Sequence, residues 1–254
     1  MANELKRKLA AGEVVLGPFF TLNCPDLVEI AALAGFDFCI IDTEHGPGNP
    51  ESIQHMLRAA ELRGMAPIVR VTDPGLTTIL RTLDVGAAGI QVPQVNSRSA
   101  AEDVVRSAKY FPLGERGACL TRSSRYGFVS GVAEYFNEAN EETLVIVHCE
   151  NKRGLECLGD IASVPGVDVI FVGPYDLSQS FGVPGQIYAP VMVDAVARAL
   201  AAARGAGKPA GIFVGSVEEA KARIDQGFTY ISFSTDTFIF GEACRSIVGG
   251  IRGK

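Results

Sequence analysis

Several ionisable side chains of this sequence come directly after short apolar runs of the kind that form buried strands. Two of them are the carboxylates Glu150 and Asp176, which follow consecutive runs. Consecutive parallel strands lie ~4.8 Å apart, so two carboxylates at their ends repel each other unless one is protonated or a cation lies between them. An all-oxygen ligand set suits Mg²⁺ or Mn²⁺, with waters and substrate completing the octahedron. A salt bridge from either carboxylate to Arg70 or Lys152 explains the same pattern equally well.

A histidine and an arginine stand at the ends of two other apolar runs. His45 follows Asp42 and Glu44, and a histidine that is oriented by a carboxylate makes a competent general base. A lone histidine more often only packs in its loop, but the other ionisable groups nearby favour a catalytic role. Arg70 ends an apolar strand, where its charge must be paired or must hold a substrate carboxylate or enolate oxygen.

Eight apolar runs, separated mostly by helical patterns, must position these groups. The runs are rich in valine, isoleucine and phenylalanine and do not alternate with polar residues, which favours parallel strands buried on both faces. The predicted strands are Val14–Leu22, Phe36–Thr43, Pro67–Val71, Gly89–Val95, Leu144–Cys149, Asp168–Val172, Ala210–Val214 and Tyr230–Ser234. Helices are predicted at Pro25–Ala34, Pro50–Arg63, Pro74–Asp84, Ser97–Lys109, Ala189–Arg204 and Ser216–Gln226, with Asn49 and Asp73 among the N-caps.

Eight strand–helix alternations in 254 residues predict a TIM (β/α)8 barrel of the α/β class, as one domain over residues 1–254. The alternative is a doubly wound sheet, which normally has a glycine-rich first turn, whereas this one reads Thr21-Leu22-Asn23-Cys24-Pro25. A long insertion at about 110–143 separates the fourth helix from the fifth strand. We expect it on the face opposite the catalytic one, where any catalytic arginines would serve a neighbouring subunit.

Charge and composition exclude several classes of protein. The net charge of −6 argues against nucleic acid as a partner, and no apolar run approaches the ~18 residues of a membrane helix. Glu13 interrupts the apolar stretch near the N-terminus, which makes a poor signal peptide. Six cysteines are scattered without a CxxC pair. We therefore expect a cytoplasmic chain with reduced thiols. Ser216 and Thr235, in the usual phosphate corner of a barrel, are expected to be helix caps.

Motifs along nearly the whole chain resemble the HpcH/HpaI aldolase family. They are Asp42-x-Glu44-His45-Gly46-Pro47, Val69-Arg70-Val71, Leu83-Asp84-x-Gly86-Ala87, Val147-x-Cys149-Glu150, Gly173-Pro174-x-Asp176-Leu177-Ser178 and Gly182-x-Pro184-Gly185-Gln186. The resemblance implies a metal-dependent class II pyruvate aldolase. Such an enzyme reversibly cleaves a 4-hydroxy-2-oxo acid or a 2-keto-3-deoxy sugar acid to pyruvate and an aldehyde, through a metal-stabilised pyruvate enolate.

The resemblance also implies how metal and substrate bind. Glu150 and Asp176 would hold Mg²⁺, Mn²⁺ or Co²⁺, and no organic cofactor is expected. Pyruvate would chelate the metal, and its carboxylate would also take backbone N–H groups of the segment Gly173, Pro174, Tyr175 and Asp176. Metal and arginine together would stabilise the developing oxyanion.

Proton transfer and assembly complete what the resemblance implies. His45, oriented by Asp42 and by Asp84 from an adjacent subunit, would move the proton, while Arg70 would stabilise the enolate oxygen. The family commonly assembles as a hexamer with exchanged C-terminal helices. The apolar segment Phe238–Ile251 is compatible with that homo-oligomer.

One position departs from the family's pattern. Where the family usually has glutamine two residues before the metal glutamate, this chain has His148. The two-residue period of a strand places His148 on the same side as Glu150, one layer deeper in the barrel. We expect its imidazole to donate to Glu150 and to fix the carboxylate's orientation, not to ligate the metal.

Three other functions compete with this interpretation. A Schiff-base aldolase needs a lysine at a strand end, and only Lys152 lies near one. An acyl-CoA thioester lyase of the related citrate-lyase type needs a basic patch for the CoA phosphates, and no such cluster stands at the strand ends. A catalytically silent barrel that binds carboxylates would have no reason to keep His45, Arg70, Glu150 and Asp176 together.

Overall fold

The computed structural model describes residues 4–253, whose eight parallel strands close into a barrel in chain order. The predicted TIM barrel is thus confirmed, while residues 1–3 and 254 lie outside the described residues. The strands are β1 Val15–Phe20, β2 Phe38–Asp42, β3 Ala66–Arg70, β4 Gly89–Val92, β5 Leu144–Cys149, β6 Val169–Val172, β7 Ala210–Val214 and β8 Tyr230–Thr235. The helices are α1 Glu4–Ala10, α2 Pro25–Leu33, α3 Pro50–Leu62, α4 Leu76–Asp84, α5 Arg98–Ala108, α6 Val132–Glu142, α7 Lys152–Glu156, α8 Leu158–Ala162, α9 Pro174–Ser180, α10 Pro190–Gly205, α11 Val217–Gln226 and α12 Asp236–Arg252.

Alternate residues of each strand point into the barrel, where large side chains fill the interior. The rings of Phe38 and Tyr230 stack there at a centroid distance of 4.1 Å. Two glycines on the strands leave room for these large side chains. A Cβ on Gly17 would lie 2.3 Å from the carbonyl oxygen of Phe38, and one on Gly211 would lie 2.8 Å from the ring of Tyr230. The other strand face packs against the helices, so both faces are apolar.

Helix starts agree with the predicted caps at one position and differ at another. Asn49 begins α3 in a reciprocal capping arrangement with Ser52. The predicted cap at Asp73 is wrong, because α4 begins only after Gly75. The Asp73 carboxylate instead accepts the Gly75 N–H at 2.7 Å and the Thr78 hydroxyl, closing a turn before the helix.

Arginines tie the insertion at residues 110–143 to the barrel of the same chain. The buried Arg116 donates to Asp84 at the end of α4, with 2.9 Å between Nη2 and Oδ1. Arg122 bonds Glu61 and the carbonyl oxygen of Val85. From the end of α4 the chain passes into the amino end of β4. Asp84 therefore lies at the face of the barrel opposite the carboxyl ends of the strands. A cavity of about 810 Å³ opens on that face between the insertion and the barrel.

The last helix, α12, leaves most of its apolar surface exposed. Asp236, its first residue, is buried and accepts the N–H groups of Thr21 and Leu22, which anchors the helix to the turn after β1. Beyond it, Phe238, Phe240 and other apolar side chains are exposed. No helix within residues 4–253 has the length and apolar character needed to cross a lipid bilayer.

Candidate active site

The carboxyl ends of the strands surround a cavity of about 290 Å³. It contains every site residue expected from the sequence except Asp84. Its wall combines aromatic and charged side chains. The lining residues are Phe19, Asp42, His45, Arg70, His148, Glu150, Phe171, Gly173, Pro174, Tyr175, Asp176, Phe213 and Thr235.

Asp42 and Arg70 form the most complete ion pair of this cavity. They end neighbouring strands in direct register. Arg70 donates from Nε to Oδ1 at 2.9 Å and from Nη2 to Oδ2 at 2.6 Å, and its Nη1 lies 3.2 Å from Glu44. The guanidinium also lies over the ring of Phe19, with Cζ 4.9 Å from the centroid. These contacts hold a positive charge rigidly at the wall of the cavity.

The loop after β2 brings His45 to the cavity. Asp42 Oδ1 accepts the backbone N–H groups of Glu44 at 3.1 Å and of His45 at 3.3 Å. Gly46 permits the turn, because a Cβ there would lie 2.3 Å from the carbonyl oxygen of Asp42. Asp42 therefore positions His45 through the main chain, while the histidine side chain remains exposed to the cavity.

Glu150 is 3% exposed and has a donor on each carboxylate oxygen. The backbone N–H of Gln94 lies 2.6 Å from Oε1, and Nδ1 of His148 lies 2.6 Å from Oε2. Gln94 takes a left-handed backbone (φ 56°) to present that N–H, a strained conformation of the kind found at functional sites. Burial by itself would raise the pKa of Glu150. His148, the Gln94 N–H and Arg70 together lower this pKa by more than burial raises it, so the net pKa is below its ordinary value.

His148 lies where its place in the strand predicted, one layer below Glu150. Its ring packs 4.9 Å from that of Phe171, and its Nε2 lies 2.8 Å from the side-chain nitrogen of Gln91. Sequence reasoning did not single out Gln91 or Gln94 as site residues. The available signal for Gln91 was a polar residue at an inward position of an otherwise apolar strand.

Asp176 is the second carboxylate of the cavity, and Gly173 leaves space beside the first one, Glu150. Asp176 is exposed in the first turn of α9, and a Cβ on Gly173 would lie 3.2 Å from Oε2 of Glu150. Neither Glu150 nor Asp176 pairs with Arg70 or Lys152 in the part of the chain that the structure describes, so the salt-bridge explanation finds no support.

The donor set at this place fits a hard divalent cation. Two carboxylates converge on a cavity that Gly173 leaves open. Residues 4–253 contain no cluster of three or more His, Cys, Asp or Glu side chains that would enclose a metal by themselves. Mg²⁺ typically takes one or two carboxylates and completes its octahedron with water and substrate, so an open pair of carboxylates suits it.

Two other chemistries, attack by a cysteine thiolate and binding of a phosphate group, are disfavoured. Burial raises the pKa of the Cys149 thiol to about 12, so this thiol is not a nucleophile. In the phosphate corner, Ser216 and Thr235 cap α11 and α12 as expected. The Gly215 N–H there donates to Glu219 at 3.0 Å, so a carboxylate already takes a donor that a phosphate would need.

Comparison with known proteins agrees with this arrangement. Residues 16–243 match the family described as HpcH/HpaI aldolase/citrate lyase. The chain belongs to that family. A hydroxypyruvate/pyruvate aldolase of Pseudomonas aeruginosa is 36% identical over 99% of this chain and 93% of its own length. A 2-keto-3-deoxy-L-rhamnonate aldolase of Klebsiella pneumoniae is 32% identical over 96% of this chain and 91% of its own.

The fold is equally typical of the HpcH/HpaI family. A crystal structure of a family protein from Burkholderia cenocepacia superposes with a TM-score of 0.94 at 33% identity, over 98% of this chain and 99% of the other. The resemblance stated from the motifs is thus confirmed over nearly the whole length. Within the family's barrel, His45, Arg70, Glu150 and Asp176 share one cavity.

Proposed function

We propose that this protein is a class II pyruvate aldolase. It reversibly cleaves a 4-hydroxy-2-oxo acid or a 2-keto-3-deoxy sugar acid to pyruvate and an aldehyde. The observation that carries the proposal is one cavity that holds a rigid arginine, an exposed histidine and two open carboxylates. Relatives that are named aldolases, at 36% and 32% identity over nearly the full chain, support this reaction class.

Arg70 supplies fixed positive charge where a carbonyl oxygen becomes negative. Asp42 holds its guanidinium through two hydrogen bonds, so no reorganisation is needed as the charge develops. Such preorganised donors stabilise the transition state more than the ground state. The substrate carboxylate is taken by backbone N–H groups at the start of α9, in the segment Gly173, Pro174, Tyr175 and Asp176. Pro174 has no N–H and the N–H of Gly173 donates to the carbonyl oxygen of Cys149, which leaves the N–H groups of Tyr175 and Asp176.

Glu150 and Asp176 would hold the divalent metal, Mg²⁺ or Mn²⁺, with Co²⁺ as a further candidate. When bound, this cation supplies a Lewis acid beside the carbonyl of the oxo acid. Glu150 is kept in its ionised form by the lowered pKa described above. No organic cofactor enters the proposal, since the chemistry needs only an electron sink at the carbonyl and a base.

His45 moves the proton. In the cleavage direction the imidazole takes the proton of the substrate hydroxyl while the adjacent carbon–carbon bond breaks. It then returns a proton to the carbon that becomes the pyruvate methyl group. An exposed histidine can also exchange that proton with solvent between turnovers.

The aromatic side chains of the cavity exclude water from the reacting carbon. Phe19 packs against both Phe171 and Phe213, and Tyr175 contacts Phe213 with centroids 5.9 Å apart. The carboxylate of Glu219 in the phosphate corner disfavours phosphorylated aldehydes. We therefore expect a small, unphosphorylated oxo acid and aldehyde as the substrates.

The active form is a homo-oligomer, which we propose to be a hexamer in the cytoplasm. Asp84 cannot reach its own chain's His45 from the opposite face of the barrel, so it would orient the His45 of an adjacent subunit. The exposed apolar side chains of α12 are the kind of surface that an exchanged helix buries. Nucleic acid and membrane are not proposed as partners.

A pyruvate-release assay across a panel of aldols tests the function. The panel contains 4-hydroxy-2-oxo acids, 2-keto-3-deoxy sugar acids and a phosphorylated analogue, each with Mg²⁺ or Mn²⁺. We expect pyruvate from at least one unphosphorylated member and little from the phosphorylated one. Cleavage of an acyl-CoA thioester, with no pyruvate from any aldol, would instead assign the citrate-lyase type of reaction. No turnover with either class would leave a carboxylate-binding barrel.

A further inference from the structure

Below the cavity, three buried polar side chains from three different strands are hydrogen bonded in a row to Glu150. The hydroxyl of Tyr230 donates to Oε1 of Gln91 at 3.3 Å. The side-chain nitrogen of Gln91 lies 2.8 Å from Nε2 of His148, whose Nδ1 lies 2.6 Å from Oε2 of Glu150. Gln91, His148 and Tyr230 are at most 2% exposed. Polar groups so deeply buried are costly unless each is satisfied, and this row satisfies them.

The chemistry of these groups fixes where the hydrogens lie. The amide nitrogen of Gln91 carries two hydrogens and no free lone pair, so it can only donate to Nε2 of His148. Nε2 must then be without hydrogen. A ring hydrogen lies on Nδ1, from which it donates to the Glu150 carboxylate, a group that only accepts. The Tyr230 hydroxyl donates to Oε1 of the same amide, so the amide nitrogen is the atom that faces His148.

We propose that Gln91 is a positioning residue for the metal site. By bonding Nε2 of His148, it holds the imidazole in place, and the imidazole fixes the orientation in which the Glu150 carboxylate faces the cavity. Gln94 completes the arrangement with its N–H on the other carboxylate oxygen. The inference deepens the proposed function and rests on it in so far as Glu150 holds a metal.

Packing alone would not have this effect. The ring of Phe171, 4.9 Å from that of His148, can fix the plane of the imidazole. An aromatic neighbour forms no directional bond to Nε2, whereas the Gln91 amide does. Loss of the Gln91 amide should therefore loosen the imidazole within its plane, and with it the Glu150 carboxylate.

The hydrogen bond at Nε2 is observed in metal-free protein by ¹⁵N magic-angle-spinning NMR with labelled histidine. The chain has only three histidines, and the signals missing from His148→Gln identify those of His148. We expect the Nε2 signal of the native protein to shift in Gln91→Met, where this nitrogen loses its hydrogen bond. An Nε2 signal that is the same in both proteins overturns the proposal.

Metal affinity is measured by Mn²⁺ titration followed by electron paramagnetic resonance. Loss of a partner that orients a ligand typically weakens binding 10- to 100-fold. We expect Gln91→Met to weaken Mn²⁺ binding by ~10-fold or more and Tyr230→Phe to weaken it less, since Tyr230 acts only through Gln91. His148→Gln should stay folded, active and metal-dependent, with affinity changed by no more than ~10–100-fold.

Asn140→Ala provides the matched control. Asn140 is also a buried amide, bonded to the backbone of Tyr110 at both its oxygen and its nitrogen, but in the insertion. Its loss should lower the free energy of unfolding without changing the Nε2 signal of His148 or the Mn²⁺ affinity. Gln91→Met with an unchanged Nε2 signal and unchanged affinity would refute the positioning role.

Two outcomes separate this proposal from the proposed function. If the native protein binds no Mn²⁺, the metal-dependent function fails and the link to metal affinity fails with it, while the ¹⁵N spectrum still decides whether Gln91 holds His148. If His148→Gln loses the metal completely, or if Zn²⁺ is strongly preferred only while His148 is present, His148 is itself a ligand and the positioning scheme is overturned.

Discussion

Arg70 and Asp42 are joined by two hydrogen bonds, of 2.9 Å and 2.6 Å, across the paired ends of strands β2 and β3. Asp42 is almost fully buried, and the same carboxylate also accepts the main chain of the loop that carries His45. In the proposed function, the charge that would stabilise the oxyanion and the base that would move the proton therefore depend on one carboxylate.

Replacement of Arg70 by lysine tests this pair. A lysine keeps the charge but loses the planar fork that matches the carboxylate. We expect kcat of Arg70→Lys to fall by ~10²–10³-fold, the cost of removing an oxyanion donor. Arg63→Lys, at a surface pair with Glu29, is the control and should retain full activity. Native turnover by Arg70→Lys would show that the oxyanion is held elsewhere.

Removal of metal should abolish activity. Chelation with EDTA is expected to stop pyruvate release, and Mg²⁺ or Mn²⁺ should restore it. Glu150→Gln should need far more metal, whereas Glu102→Gln, at a surface pair with Arg98, should behave as the native protein. Full activity after exhaustive chelation would argue for a Schiff base instead, and borohydride reduction with pyruvate would then label Lys152.

His45→Ala should slow turnover while leaving the metal site intact. Loss of a general base typically costs ~10²–10⁴ in rate. The measurement is turnover together with hydrogen–deuterium exchange at the pyruvate methyl group, with Mn²⁺ affinity as the second readout. His55→Ala, at an exposed position of α3, serves as the control. Near-native exchange in His45→Ala would assign the proton to another group.

Mixing of two inactive variants tests whether the site is shared between subunits. His45→Ala and Asp84→Ala each remove one contribution, so reassembled mixtures should contain sites with both residues and regain activity. Asp84 also pairs with Arg116 in its own chain, so circular dichroism must first show that Asp84→Ala is folded. An active monomer, separated by size-exclusion chromatography, would contradict the shared site.

Lys109 should make stability depend on pH. Its ammonium is buried and donates to the carbonyl oxygens of Asn140 and Thr143 at the end of α6, and burial lowers its pKa to about 8. Because the folded-state pKa lies below the unfolded one, the unfolded chain binds more protons between these values. The contribution of Lys109 to the free energy of unfolding should therefore rise with pH from about 8, by up to ~1.4 kcal/mol per pH unit.

Urea unfolding at pH 8, 9 and 10 measures this effect. The free energy of unfolding of the native protein minus that of Lys109→Met should grow with pH. The same difference for Lys221→Met, at an exposed position of α11, should stay nearly flat. A difference for Lys109→Met that does not change with pH would mean that this ammonium is solvated.

The sequence by itself predicted the barrel and most of the polar residues that line its cavity. Apolar runs without alternation can be satisfied only by strands covered on both faces, and eight of them in 254 residues leave a closed barrel as the simplest solution. Because catalytic groups gather at the carboxyl ends of such strands, His45, Arg70, Glu150 and Asp176 could be named from their positions alone. The two-residue period of a strand also placed His148 beneath Glu150.

The tertiary structure decided which group contacts which. Asp42 was expected to orient the His45 imidazole, yet its oxygens are taken by Arg70 and by backbone N–H groups. Gln91 and Tyr230, 139 residues apart, meet only inside the closed barrel. Local sequence sets strand period and helix caps, but hydrogen-bond partners across a barrel depend on register, shear and side-chain packing. Those quantities are fixed only when all eight strands close together.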